Sequence, residues 1–320
     1  LFIEPLFAVE LNNRLLLAGK DVRAEEQRIL LFLTDLVREN LDPLKKVFAT
    51  LTTIDVLHAK VVFARMYGKT RPQFGSNISL KSLKHPLLVA QRKEVVPIDL
   101  ILPRDKRGLV ITGPNAGGKT AAMKTMGLVS LMAQTGFLIP CAEDNELPIF
   151  GSVMVDIGDA QSLEKNLSTF SAHVVNVKEI VSQYREPALV LLDEPGVGTD
   201  PAESAALAKA LLFFLKACQV SVFVSTHLME VKIFALEDNY YRIASVSFDA
   251  DTLQPNYKLN YESPGQSLGL ASARRLGLHK SICDYAENSI SSGTQMLSRA
   301  LTRLEERAAA LLKEQEKSQE

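Results

Sequence analysis

An α/β domain built on a parallel sheet, with an all-helical segment before it and a C-terminal helix after it, is the fold class this 320-residue sequence predicts. Three observations carry that expectation. The first is an apolar run, Leu109-Val110-Ile111-Thr112, that ends in a glycine-rich turn and opens into a helix-like stretch from Ala121. The second is a pair of further apolar runs, Ala188 to Leu192 and Val220 to Thr226, each without the polar alternation of a one-sided sheet. Such runs are what parallel strands covered on both faces look like. The third is helical periodicity at both ends of the chain.

Taken in order, residues 6–40 and 43–67 place apolar side chains at helical spacing, with Leu44, Phe48, Leu51, Ile54, Val61 and Ala64 on one stripe. They predict a helical lead-in over 1–74. Arg71-Pro72, Gly75 and Asn77 then interrupt the pattern, so a boundary is expected near residue 75. The sheet domain follows over 75–288. Late in it, Asp249-Ala250-Asp251 separates Ala244–Phe248 from Leu253–Leu259 and suggests a hairpin-like return. Beyond it, in the segment 289–320, Ile290, Leu297, Leu301, Leu304, Ala308 and Leu311 recur at three- and four-residue intervals, apart from Thr294 where an apolar residue is missing. That pattern suits one amphipathic helix packed on its own domain, or a coiled-coil stalk leading to further sequence. The start at Leu1 and the polar terminus Lys-Glu-Gln-Glu-Lys-Ser-Gln-Glu suggest a piece of a longer protein.

The chemistry concentrates where the strands end. Gly113-Pro114-Asn115-Ala116-Gly117-Gly118-Lys119-Thr120, running into Ala121, fits the GxxxxGK[ST] pattern of a phosphate-binding loop. A strand, a glycine turn and a helix start offer backbone N–H groups and roughly half a positive charge of helix dipole to an anion. Lys119 can reach the outer phosphates, and the Thr120 hydroxyl is a hard ligand suited to Mg²⁺. Asp193 and Glu194 close the next strand, where open α/β sheets bind ligands. Asp193 is expected to hold Mg²⁺, and Glu194 to orient or deprotonate an attacking water. His227 ends the third strand and reads either as a γ-phosphate-sensing group or as a structural histidine. The order of these groups favours an ATP hydrolase over a kinase. Ser168, at the predicted start of a helix carrying Val174, Val177, Ile180 and Val181, is either its cap or a phosphate contact.

These residues belong to a wider pattern. The loop, Asp156-Ile157-Gly158-Asp159, Asn166-Leu167-Ser168-Thr169-Phe170-Ser171, Asp193-Glu194 and Gly198-Thr199-Asp200-Pro201 together resemble the MutS ATPases, and more narrowly the second-type MutS paralogues of bacteria and plastids. Phe2-Ile3-Glu4-Pro5, His85-Pro86-Leu87-Leu88 and Ala273 to Leu278 extend the resemblance over nearly the whole chain. It implies a P-loop NTPase domain of the ABC/MutS class using ATP and Mg²⁺. It also implies a homodimer through the ATPase domains, in which Ser168 contacts the partner's γ-phosphate and Asn115 lies near the same oxygens. Val95 and Val96, in Glu94-Val95-Val96-Pro97, align with the apolar patch that packs on adenine, although two valines are also ordinary strand residues. The implied function is an ATP-driven clamp or switch acting on branched DNA, with suppression of recombination, or on collided ribosomes, with splitting of their subunits. The alternative is a nucleotide-gated dimerisation module with little turnover. A cytoplasmic or plastid-stromal location follows from the same resemblance. No nuclease motif is evident, so nuclease activity is not assigned to these residues.

The sequence also departs from the family. Pro195 follows Asp193-Glu194 where an aliphatic residue is usual, Ala160 stands for an acid, and Ser204 for a glycine. The approach to Pro264-Gly265 is more polar than the family's, and the basic residue after it is replaced.

Composition is compatible with this reading. With 47% hydrophobic residues the chain can bury a large core. Three cysteines without paired metal spacing support neither a disulfide framework nor a zinc site, which fits a reducing compartment. A net charge of −1 gives no global nucleic-acid footprint, and basic residues such as Lys81, Lys84 and Arg104 read first as solvated loops. The longest apolar stretch, about 205–224, is broken by Lys209 and Lys216, so no membrane span is expected.

Overall fold

The computed structural model describes residues 5–68, 70–91, 94–114, 117–158, 169–248, 255–265, 269–275 and 277–289. Its compact units are 1–62 and 63–320. This division lies earlier than the sequence break near residue 75. The reason is packing: the Phe63 ring meets Tyr67 and Phe137 edge-on, at centroid distances of 5.0 and 5.3 Å, and so belongs to the second unit.

The helical periodicity at the start of the chain becomes α1 (Leu6–Glu39) and most of α2 (Leu41–Met66). Their apolar side chains, Leu15, Phe32, Phe48 and Ile54 among them, are exposed. By length and composition, α2 is long and apolar enough to cross a membrane, with a mean hydropathy of 1.5 over its most apolar 18 residues. The sequence expectation of no membrane span rests on 205–224 and does not cover this helix.

The second unit holds two sheets. β1 (Ile78–Leu83), β2 (Ile98–Leu102) and the short β4 (Asn145–Glu146) form an antiparallel sheet in the order β2-β1-β4. α3 (Pro86–Ala90) lies between β1 and β2 in sequence. The main sheet has six strands: β3 (Gly108–Thr112), β5 (Ser152–Asp156), β6 (Ala188–Asp193), β7 (Ser221–Thr226), β8 (Tyr241–Phe248) and β9 (Pro255–Tyr261). Their spatial order is β5-β6-β7-β3-β8-β9, parallel throughout except for the antiparallel β9. The expected hairpin return is the β8–β9 pair; the connecting residues 249–254 lie outside the described residues.

Alternation along the strands explains why the runs are apolar throughout. Leu109, Ile111, Leu189, Leu191 and Phe223 point to one face, where α4 (Lys119–Gln134) covers them with Met123 and Met126. Val110, Val190, Leu192, Val222 and Val224 point to the other, beneath Leu212 and Leu215 of α6 (Pro201–Ala217) and Val231 of α7 (Met229–Glu237). Both faces are therefore core. α6 starts where the sequence offers a cap: Asp200 accepts from the Ala202 backbone N–H at 2.9 Å, and Pro201 takes the first helical position, where a missing N–H costs nothing.

α5 (Thr169–Gln183) connects β5 to β6, and α8 (Gly269–Arg275) and α9 (Lys280–Ser289) close the described chain. The expected helix over 290–320 lies outside the described residues, as do Ala160 and residues 266–268.

Candidate functional site

The site forms where β3, β6 and β7 end side by side. Register fixes this: Thr112 pairs with Thr226, and Asp193 with Ser225, so the residues after each strand emerge at one edge of the sheet. Gly113 leaves β3 with φ +121°, and Gly118 enters α4 with φ +90°, a conformation L side chains rarely adopt. A Cβ on Gly118 would also come within 2.9 Å of the Tyr257 ring. Only glycine fits there.

Lys119 opens α4, and its side chain is 1% exposed. Its Nζ donates to the Gly113 carbonyl at 2.6 Å and lies 3.5 Å from Glu194 Oε1. Burial lowers the Lys119 pKa, and the Glu194 and Asp193 charges partly offset that. Thr120 Oγ1 donates to Asp193 Oδ2 at 2.7 Å. The other Asp193 oxygen accepts from the Ser225 hydroxyl, and that same hydroxyl accepts from the Glu194 backbone N–H at 3.1 Å. Glu194 has φ +50°, uncommon for a non-glycine residue, and its carboxylate also lies 3.4 Å from His227 Nδ1. The hydrogen bond from His227 is the largest influence holding the Glu194 pKa below the usual carboxylate range; the Lys119 charge adds to it, and burial opposes both.

Next to the loop is a cavity of ≈ 260 Å³, whose lining includes Leu88, Val95, Val96, Gly118, Ala121 and Tyr257. His85 lines it as well, and among the described residues its buried Nδ1 has no hydrogen-bond partner. Burial, ahead of the nearby Lys124 charge, lowers the His85 pKa, which favours the neutral ring.

A separate group anchors α5. Asp156, at the end of β5, is 2% exposed. One of its oxygens lies 2.9 Å from His173 Nδ1, and the other accepts from Asn176 Nδ2 at 3.0 Å. The carboxylate thus grips two residues one helical turn apart.

Of the residues named from sequence, Gly113, Gly117, Gly118, Lys119, Thr120, Asp193, Glu194 and His227 share one edge of the sheet, and Pro114 belongs to the same loop. Ala121, Val95 and Val96 line the adjoining cavity. Asn115, Ala116 and Ser168 lie outside the described residues. Sequence reasoning missed Ser225, Tyr257 and His85, and it gave the Asp156–His173–Asn176 grip no role. The departure at Ser204 has a local account: its hydroxyl donates to the Gly196 carbonyl at 2.7 Å, tying α6 to the loop after Glu194. Tyr261, which ends β9 and begins the altered late segment, accepts from the Ile101 backbone N–H at 2.8 Å and donates to the Asp99 carbonyl at 2.7 Å.

The family model for MutS domain V matches residues 109–293, more than half of the chain and nearly all of the main sheet. The chain belongs to the MutS family. Within that family it is similar to proteins named Endonuclease MutS2. The Thermotoga petrophila protein is 42% identical over 318 residues, covering 99% of this chain and 42% of the relative. The Aquifex aeolicus protein is 37% identical over 303 residues, 95% of this chain and 40% of the relative. The Finegoldia magna protein is 44% identical over 292 residues, 91% and 37%. The chain therefore spans about two-fifths of the length of these curated MutS2 relatives. The parallel-rich sheet with its phosphate loop is the P-loop ATPase fold of MutS domain V.

Proposed function

We propose that this chain binds and hydrolyses ATP, and that it works as a clamp or switch in which two ATPase domains meet. The observation that carries the reading is the convergence of Lys119, Thr120, Asp193, Glu194 and His227 at one edge of the sheet. The triphosphate would lie on the loop N–H groups and the α4 N-terminus, with the Lys119 ammonium against its outer oxygens. Glu194, kept ionised by His227, would orient the attacking water and take its proton. His227 holds that carboxylate in place.

The donors suit Mg²⁺. Thr120 Oγ1 and Asp193 Oδ2 are adjacent hard oxygens, and among the described residues there is no cluster of three or more carboxylate, imidazole or thiol groups able to cage a metal. Mg²⁺ commonly takes one or two protein oxygens, with phosphates and water completing its shell. When bound, it would neutralise charge on the phosphates.

The finer parts of the proposal rest on the family resemblance and on MutS membership. Ser168 completes a partner subunit's site, Asn115 lies near the same phosphates, and Val95 and Val96 pack on adenine. The large partner is a nucleic-acid-containing one, either branched DNA or a collided ribosome, in the cytoplasm. The relatives are named endonucleases; no residue of this chain is assigned to that chemistry. Binding of the full-length protein to branched DNA and to ribosomes, compared at stated salt, separates the two partners.

The direct test is nucleotide titration alongside steady-state hydrolysis. Glu194→Gln is expected to keep ATP affinity and to slow turnover by roughly 10²–10⁴, the range for a positioned acid–base group. Lys119→Ala is expected to lose nucleotide binding. Unchanged turnover in the first variant would remove Glu194 from the mechanism; unchanged affinity in the second would move the site elsewhere. A wild type that binds ATP without turning it over would favour the dimerisation module.

A further inference from the structure

α5 is held unevenly along its length. In its second half Ile180 is buried in the same cluster as Val190 and Leu212. In its first half Val174 and Val175 are exposed, so apolar packing does not fix that end. Two other contacts do. The Asp156 carboxylate, at the end of the edge strand β5, engages His173 Nδ1 with one oxygen and accepts from Asn176 Nδ2 with the other. The backbone at Gly198, in the loop after Glu194, lies against the first turn: a Cβ there would meet Phe170 Cβ, N and Cα at 3.1, 3.2 and 3.3 Å.

Register places Asp156 beside Leu192, the residue before Asp193. The strand ends that carry the acids of the nucleotide site therefore also carry the contacts that orient α5. A buried carboxylate is an expensive anchor, since an apolar contact of the same volume would hold the helix at least as firmly. What the carboxylate adds is direction. Two hydrogen bonds from one rigid group to side chains one helical turn apart fix the rotation of the helix about its axis as well as its position along β5.

We propose that Asp156, acting through His173 and Asn176, is a positioning residue that aims the N-terminal end of α5 at the nucleotide of a partner subunit. This rests on the shared-site reading above, in which Ser168, immediately before α5 in sequence, completes the partner's site. Such a contact tolerates little error, because a misplacement of about 1 Å can cost about 10²-fold in rate. Loss of the grip therefore disables the site on the other subunit, and leaves the phosphate loop of its own chain competent.

The test is ATPase activity in mixtures of full-length variant chains, with ATP affinity and thermal melts measured in parallel. Asp156→Asn keeps the side-chain volume and removes the charge. His173→Leu removes one arm of the grip, and leucine suits the apolar surroundings that His173 shares with Phe170 and Val177. Each variant alone is expected to turn over ATP roughly 10–10²-fold more slowly at unchanged affinity. His173→Asn, whose amide nitrogen can stand in for Nδ1, should restore most of that loss. Mixed with Lys119→Ala, Asp156→Asn and His173→Leu should each recover up to one working site per heterodimer, because the Lys119→Ala chain supplies an intact α5. Mixed with Ser168→Ala they should recover nothing, because both changes then fall on the same half of the shared site. No recovery with Lys119→Ala, in exchanging mixtures where Ser168→Ala does recover, would make the grip a support for its own chain and overturn the assignment with the shared site intact. Wild-type turnover in folded His173→Leu overturns it equally. If Ser168→Ala keeps its turnover or never recovers in such mixtures, the shared-site reading falls and the assignment with it. Should Asp156→Asn fail to fold, His173→Leu decides by the same outcomes.

Discussion

The half-exposed His227 is the largest influence lowering the pKa of the Glu194 carboxylate beside it. Removing it takes away the largest influence lowering the Glu194 pKa, while the burial that raises the pKa remains. The sign follows directly: Glu194 in His227→Ala takes up a proton at a higher pH than in the wild type. If Glu194 must be ionised to accept a proton from water, the acid limb of the kcat/KM profile moves to higher pH, with a smaller effect on the plateau. A pH profile of both proteins checks this, and superimposable acid limbs would confine His227 to another role. Lys119, Thr120, Asp193 and Glu194 were legible in the sequence because a loop of fixed spacing and a strand end determine where they lie. Ser225 was not legible, since its role comes from pairing with Asp193 across two strands distant in sequence. Tyr257 was not legible for a related reason: it reaches Gly118 through the β8–β9 pairing, whose register shifts between Val246 and Phe248, a mismatch that neither strand announces alone.

Among the elements, α5 is tied to the end of β5 by the Asp156 side chain. Asp156 is nearly inaccessible, and both its oxygens are engaged by α5. Asp156→Ala would leave His173 and Asn176 without that partner, a loss of about 2–4 kcal/mol for bonds to a buried charge. Denaturant unfolding measures it, and a change below about 0.5 kcal/mol, the ordinary surface value, would mean that the grip contributes little. The strands and their covering helices could be read from apolar runs and periodicity. This grip could not: Asp156 and His173 stand out as residues, but nothing local says they meet. For α2 the same periodicity located the helix and left open what faces it. A stripe of Phe48, Leu51 and Ile54 has the same spacing whether it is covered or, as here, exposed.

At the scale of the whole molecule, the proposed shared site makes a prediction that no single chain can reveal. Ser168, outside the described residues and just before α5, either caps that helix or reaches a nucleotide on a partner subunit. If it acts on the partner, Ser168→Ala and Lys119→Ala chains should each be inactive alone, and a mixture should recover up to one working site per heterodimer. If it is only a cap, Ser168→Ala should lower stability by about 1 kcal/mol and leave turnover per folded molecule intact. ATPase activity against mixing ratio, with folded fraction measured in parallel, decides between them. Activity never exceeding the sum of the separate variants, in mixtures shown to exchange subunits, would exclude the shared site.

The Ser225 hydroxyl, which donates to the Asp193 carboxylate and accepts from the Glu194 backbone, has a consequence for genetics. In the proposed mechanism these two acids have different tasks, yet one hydroxyl holds the carboxylate of the first and the backbone of the second. A lesion at Ser225 would therefore impair metal affinity and turnover together and would be scored as a null allele. Alleles that separate the two defects should map to the Glu194 side chain or to His227, since those can change without disturbing the hydroxyl that both acids share.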